Sequence, residues 1–257
     1  MSLRFSANIS MLFPELPFLE RIAASAKAGF DAVECHFPYD HPPAEVTARL
    51  RDAGLPMTGV NTRPGDAGLF GLAAQPGREA DFAAVFDHAL AYAQAVGATM
   101  IHCMSGVVRP DQRQAARETF LRNMTRASDK ATGTDVTLLV EPINAYDRPG
   151  YFVARSDDVA ELLTTLGRDN VKMMFDVYHV QIMEGDILRR MERHWPLIGH
   201  VQFASVPGRH EPDEGELAIA AVFEALGARG WRGFVGAEYN PRGATLDGLG
   251  WLAAARR

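Results

Sequence analysis

Cysteine is scarce in this sequence, with two residues in 257, Cys35 and Cys103. Both lie inside apolar runs, without partners for a disulfide framework or a thiolate zinc site, so a reduced interior and a cytoplasmic setting are expected. Basic charge is also short. The 26 Lys and Arg are outnumbered by 32 Asp and Glu, which leaves a net charge of −6. No basic patch stands apart from the rest, and a surface of that sign repels a polyphosphate backbone, so no nucleic-acid partner is expected. No apolar run approaches the roughly 20 residues that cross a bilayer. The opening Met1-Ser2-Leu3-Arg4-Phe5 lacks the basic start and apolar stretch of a signal peptide, so no membrane partner is expected either. Missing too is a GxGxxG turn after the first strand candidate. The run from Gly65 to Gly71 has neither that spacing nor the Lys-Ser/Thr of a phosphate loop, which disfavours dinucleotide binding.

What the chain does have is alternation. Short apolar or β-branched runs are each followed by a longer stretch of helical spacing with polar punctuation. The strand candidates are 4–9, 32–37, 57–61, 100–104, 136–140, 171–175, 200–204 and 234–237. Helices are expected at 17–28, 44–53, 78–96, 112–130, 156–166, 186–194, 216–228 and 245–254. Gly29, Gly54, Gly97, Gly133 and Gly167 each close a helical pattern just before a strand, and Ser156 with Asp157 and Asp158 offers a helix cap and an acidic first turn. Alternating βα units imply parallel strands, because the helix supplies the crossover that a parallel pair needs. Eight units in this length point to an α/β fold of the (β/α)8 TIM-barrel kind, a single domain spanning 1–257, with an open doubly wound sheet as the alternative.

In such a barrel the reacting groups sit at the C-terminal ends of the strands. Strand five runs into Glu141-Pro142-Ile143-Asn144 and strand six into Asp176-Val177-Tyr178-His179. Strand seven carries Gln202, and strand eight runs into Glu238-Tyr239-Asn240-Pro241. Any one of these acids could be a strand-end group paired with Lys or Arg. Three carboxylates buried together repel one another and lose hydration, and a divalent cation removes that objection. Three carboxylates and an amide oxygen form a hard-oxygen set suited to Mg²⁺ or Mn²⁺. A metal flanked by Glu141 and Glu238 fits proton transfer beside a carbonyl, one glutamate removing the proton and the other returning it to the adjacent carbon.

These segments carry a resemblance. Arg4-Phe5-Ser6-Ala7-Asn8, Phe37-Pro38-Tyr39-Asp40, Pro76-Gly77-Arg78-Glu79, Glu141-Pro142-Ile143-Asn144, Asp176-Val177-Tyr178-His179-Val180-Gln181, Gly208-Arg209-His210-Glu211-Pro212 and Gly236-Ala237-Glu238-Tyr239 resemble the hydroxypyruvate isomerases of the xylose-isomerase-like TIM-barrel superfamily over nearly the whole chain. The resemblance implies metal ligands at Glu141, Asp176, Gln202 and Glu238, with the two glutamates as the acid/base pair. It implies substrate contacts from His179 and Arg209, and interconversion of hydroxypyruvate with 2-hydroxy-3-oxopropanoate. A guanidinium fork is apt for a substrate carboxylate. The chain departs from that pattern after Gln202, reading Phe203-Ala204-Ser205 where the relatives read Ile-Ala-Asp.

Blander readings compete for several positions. Asp147 is as well suited to opening the turn before Pro149 as to accepting a substrate hydroxyl. His179 could be a core histidine on a backbone carbonyl, and Arg209 a solvated loop residue. His102 reads best as structural, and Phe37 and Tyr39 as pocket wall or rim. The partner expected is a small hydroxy-carbonyl acid, with a homo-oligomer left open. Alternatives on the same barrel are a 2-oxo-tetronate isomerase, a ketose 3-epimerase and a non-catalytic small-molecule binder. An abasic-site endonuclease would need many histidine ligands and a basic face, and neither is visible.

Overall fold

The computed structural model describes residues 2–256. Eight parallel strands form one sheet: β1 (Arg4–Asn8), β2 (Ala32–Glu34), β3 (Gly59–Asn61), β4 (Met100–His102), β5 (Thr137–Val140), β6 (Val171–Asp176), β7 (Ile198–Phe203) and β8 (Phe234–Ala237). The ladder runs β2-β1-β8-β7-β6-β5-β4-β3. Four backbone hydrogen bonds bring its two ends together: Val33 N–H to Pro56 at 3.0 Å, Thr58 to Val33 at 2.8 Å, Cys35 to Gly59 at 3.2 Å and Asn61 to His36 at 2.9 Å. The fold is therefore the expected TIM barrel and not an open sheet.

Nine α-helices lie in the described chain: α1 (Glu20–Ala28), α2 (Pro43–Ala53), α3 (Glu79–Val96), α4 (Arg113–Ala131), α5 (Ser156–Leu166), α6 (Val177–Met183), α7 (Ile187–His194), α8 (Ile219–Ala228) and α9 (Gly250–Ala255). None is long and apolar enough to cross a membrane. The strands are buried on both faces, as in β6, where only Lys172 is partly exposed, so they read as near-continuous apolar runs. Between the barrel wall and its last helices, Phe5, Phe203, Phe223 and Trp251 meet edge to face, with Phe203 and Trp251 centroids 5.0 Å apart. These rings hold β1 and β7 against α8 and α9, and so fix the wall that carries Gln202.

Several local expectations change. Residues 177–183 form a helix, α6, that the periodicity did not single out; seven residues are too few to show a helical repeat, and the Asp176 side chain starts it by accepting the Tyr178 N–H at 2.9 Å. Ser156 does not cap α5. It is the first helical residue, and its N–H goes to the Glu184 carboxylate at 2.7 Å, so the cap is supplied from the end of α6. The expected helix 245–254 splits into a 3₁₀ turn, Thr245–Gly248, and α9. Helix α4 stops at Ala131 with an extended Thr132, and Gly133 takes the left-handed turn one residue later.

Candidate active site

Parallel strands of one barrel all end on one face, so the inward-pointing residue at the end of each strand is brought to a common mouth. Asp176 ends β6 and is wholly buried, Glu141 follows β5, Glu238 follows β8, and Gln202 is the penultimate residue of β7. The register places Asp176 beside Gln202 and Gln202 beside Gly236. Asp176 spends Oδ1 on the start of α6. Its Oδ2, Glu141 Oε1 and Gln202 Oε1 are all buried without a hydrogen-bond partner. A buried carboxylate oxygen left unpaired costs about 1–3 kcal/mol or more. Three such oxygens on adjacent strands, all hard donors, have the chemistry to hold a divalent cation.

Glu238 is the member of the set that is fully engaged. Its Oε1 accepts from Asn8 Nδ2 at 2.9 Å and lies 2.6 Å from His36 Nε2, and its Oε2 accepts from Arg209 Nη2 at 2.7 Å. The same Arg209 nitrogen is 3.6 Å from Asp176 Oδ2, while Nη1 is 3.8 Å from Asp147 Oδ2 and the guanidinium lies over the Tyr178 ring. Arg209 is thus an internal counter-ion to the acid cluster. Burial opposes ionisation of Glu238, but Arg209 and the His36 hydrogen bond outweigh it and hold this carboxyl well below the usual range. Glu141 goes the other way, raised by burial and then by the charges of Glu238 and Asp176. Burial pushes Asp176 up to about 7 against the pull of Arg209.

His179 sits beside this cluster with Nε2 3.6 Å from both Glu141 Oε1 and Asp176 Oδ2. The three residues could form a metal triad. The tautomer argues against a ligand role for the ring. Asn144 Oδ1 accepts the N–H groups of Tyr146 and Asp147, at 3.0 and 2.8 Å, which fixes its Nδ2 as the end facing Asp147 Oδ2 at 3.1 Å and His179 Nδ1 at 2.7 Å. The Asn144 backbone N–H points at the same ring nitrogen. Nδ1 is therefore an acceptor, so Nε2 carries the hydrogen and offers a donor, not a lone pair, toward the acids. Burial lowers the pKa of His179, consistent with a neutral ring.

The mouth is a cleft of about 710 Å³. Glu141, Asp147, His179, Arg209 and Glu238 line it, whereas Asp176 and Gln202 lie beneath, in the floor. Asp147 is drawn in on both its oxygens, by Asn144 and by the Tyr178 hydroxyl at 3.3 Å. Phe37 forms part of the wall, as does Phe70, with Arg148 stacked on its ring at 3.9 Å. Ser205, where the resembled relatives carry aspartate, turns its hydroxyl to the His210 N–H at 3.0 Å, and the loop is closed again by Ser205 N–H to His210 and Arg209 N–H to Ser205.

Three polar residues, Asn8, His36 and Glu34, were not expected at the site, and a fourth, His102, was expected to be structural. Asn8 and His36 bind Glu238, His102 brings Nδ1 within 3.4 Å of Glu141 Oε2, and Glu34 accepts from Gln202 Nε2 at 2.7 Å. Each stands at or just beyond the end of β1, β2 or β4. The same strand-end criterion, applied to the first half of the barrel, would have found them.

Eight parallel strands closed around an acid cluster at their C-terminal mouth define a TIM-barrel enzyme site. The chain belongs to the xylose isomerase-like TIM-barrel family, whose pattern it matches over residues 22–255. It is 48% identical over 252 residues to a 2-oxo-tetronate isomerase of Cupriavidus necator, covering 97% of both chains. It is 37% identical over 253 residues to a hydroxypyruvate isomerase of Escherichia coli, covering 97% of this chain and 98% of that one. A crystal structure from Brucella melitensis described as an AP endonuclease, family 2, superposes with a TM-score of 0.97 at 45% identity over 100% of both chains. The chain is an enzyme, a ketol isomerase of the aldose–ketose type.

Proposed function

We propose that the enzyme is a metal-dependent isomerase of short 2-oxo acids that carry a hydroxyl on C3, exchanging carbonyl and hydroxyl between C2 and C3. The observation that carries the reading is the set of buried, partnerless oxygens on Glu141, Asp176 and Gln202 beside an acid-paired Arg209. Mg²⁺ or Mn²⁺, held by these three residues and Glu238, would lend Lewis-acid charge to the two oxygens of the hydroxy-carbonyl unit. Glu141 and Glu238 face the same cleft, and one takes the C3 proton while the other delivers a proton to C2, with the hydroxyl proton passing from O3 to O2 so that the carbonyl moves to C3. The Arg209 fork binds the substrate carboxylate, which competes with Glu238 for the guanidinium. His179 Nε2–H, directed at the acid cluster, donates to a substrate oxygen there, and Asp147 keeps Arg209 turned inward. The need for a carboxylate separates this reading from a ketose epimerase.

Hydroxypyruvate and 2-oxo-tetronate share the reacting unit and differ by one hydroxymethyl group on C3. We place the four-carbon acid first on the 48% identity to a 2-oxo-tetronate isomerase, against 42% to a human chain named putative hydroxypyruvate isomerase and 37% to the hydroxypyruvate isomerase of Escherichia coli. The three-carbon acid, which the sequence reading placed first, becomes the secondary one. The name of the Brucella structure refers to a DNA enzyme, but a net charge of −6 and a site of carboxylates and one amide do not favour a polyanion here. The test is turnover of both acids and of free ketoses by metal-stripped protein, with and without Mn²⁺, alongside E141Q and E238Q. The reading expects Mn²⁺-dependent conversion of the acids, lost by at least about 10²-fold in either variant. Turnover that survives metal removal, or that is confined to ketoses, would overturn it.

A further inference from the structure

Next to Gln202 lies a further buried carboxylate with no part in the chemistry above. Glu34, at the end of β2, is 4% exposed, and both its oxygens are filled. Oε2 accepts from Ser6 Oγ at 2.7 Å, His200 Nε2 at 3.0 Å and Thr58 Oγ1 at 3.3 Å, and Oε1 accepts from Gln202 Nε2 at 2.7 Å. It is seated against bare backbone: a Cβ on Gly236 would fall 2.5 Å from Glu34 Oε1 and 2.9 Å from Gln202 Cγ.

A carboxamide is nearly symmetric in shape and opposite in chemistry at its two ends, an oxygen with lone pairs and a nitrogen with hydrogens. Which end of Gln202 faces the mouth decides whether β7 offers a cation a ligand or a repelling N–H. Glu34 Oε2 already takes three donors and Oε1 is met by the Gln202 nitrogen at 2.7 Å, so the buried, unpartnered Oε1 of Gln202 is left for the site. We propose that Glu34 is a positioning residue that sets the polarity of Gln202, turning its oxygen toward the acid cluster as the fourth donor of the metal site. The inference rests on the metal-dependent reading above.

The logic makes a specific demand on E34Q. Its amide oxygen keeps all three groups that now donate to Oε2, Ser6, His200 and Thr58, only when its NH₂ faces Gln202. Gln202 then satisfies that NH₂ only by turning its own oxygen downward and its nitrogen into the site. The double variant E34Q/Q202E restores an oxygen on both sides, because the carboxylate at 202 accepts from the new amide with one oxygen and presents the other. E34D separates position from charge, since it keeps the negative charge and withdraws it from Gln202 by one methylene.

The experiment is Mn²⁺ affinity by titration calorimetry on wild type, E34Q, E34D and E34Q/Q202E, with thermal melts of each in metal-free buffer. E34Q and E34D are expected to bind Mn²⁺ about 10–100-fold more weakly, as for other partners that orient a ligand, and the double variant to recover to within about 3-fold of wild type. E34D binding like wild type would overturn the proposal in favour of bulk charge. Unchanged affinity in both single variants with a lowered melting temperature would overturn it in favour of a purely structural role. If E34Q does not fold, E34D and the double variant carry the same test. Failure of the metal-dependent reading is distinct: wild type itself would take up no Mn²⁺.

Discussion

Arg209 is the counter-ion that lets the acid cluster exist without a metal, and R209M tests this directly. At an effective dielectric of about 20, a pair at the 2.7 Å separation from Glu238 is worth ~6 kcal/mol, and one at the 3.6 Å separation from Asp176 ~5 kcal/mol, before desolvation is charged against them. The loss on substitution is smaller, because a carboxyl stripped of its cation can take up a proton. Protonating a glutamate of ordinary value 4.5 at about pH 7 costs roughly 3 kcal/mol at 1.36 kcal/mol per unit, and that sets the ceiling. For a chain of this size a loss of that order lowers the melting temperature by ~6–12 °C. The assay is thermal denaturation of metal-stripped wild type and R209M at about pH 7 and pH 5, then with Mn²⁺ added. The deficit should be near the ceiling at the higher pH, shrink below about 1 kcal/mol at the lower one, and close when Mn²⁺ supplies the missing charge. KM for the 2-oxo acid should rise about 10–100-fold, the worth of a charge-assisted contact, with a smaller change in kcat. A metal-stripped R209M that melts within about 1 °C of wild type at both pH values would refute the counter-ion reasoning.

Other outcomes follow from the same geometry. Because Glu141 is raised and Asp176 is lifted to about 7, the folded metal-free protein holds protons that the unfolded chain has lost; this contribution is present at low pH and is lost as pH rises toward about 7. Metal uptake must displace such protons, so Mn²⁺ affinity should increase as pH rises through that window and level off above it, and calorimetry in buffers of different ionisation heat should count the protons released. E184A, which removes both the cap on the Ser156 N–H and the partner of Arg190 at 2.6 Å, should lower stability by ~2–4 kcal/mol in chemical denaturation, with the acid cluster untouched. Cys35 and Cys103 are buried and burial pushes both thiols up, so neither should react with iodoacetamide until the protein is unfolded; rapid labelling of the native state would contradict the packing.

The eight βα units and the three acids and one amide at the ends of the last four strands were legible because both leave period and position in the sequence. Parallel strands buried on two faces appear as apolar runs, and a charged residue ending such a run stands out, as Glu141 after Leu139-Val140 does. Glu34, His36 and the role of His102 were harder, since β2 and β4 are only three residues each and their ends blur into the loops, and Asn8 is an uncharged amide that does not stand out at the end of β1. What no spacing could reveal is pairing. That Arg209 faces Glu238, that Glu34 holds Gln202, and that Asn144 sets the His179 tautomer are contacts between residues at least 29 apart in the chain. The cap of α5 failed for the same reason, the acceptor coming from Glu184 in place of the neighbouring Ser156.

The serine at 205 shows how little of the expected charge the recognition loop requires. Its hydroxyl accepts the His210 N–H, its backbone pairs with His210 and Arg209, and the Arg209 carbonyl accepts the Asn240 N–H at 2.8 Å, so Arg209 is pinned from both sides in a left-handed conformation at φ 53°. An aspartate could close the same turn, but it would add an anion beside a guanidinium that already answers to Glu238, Asp176 and Asp147. A hydroxyl supplies the acceptor without adding a further anion beside the Arg209 guanidinium. Under the proposed function the departure at this position is compatible with acid recognition, and substitutions at Phe37, Asn61 and Phe70, which line the same cleft, are expected to shift the preference between three-carbon and four-carbon acids, as read by the ratio of kcat/KM for the two.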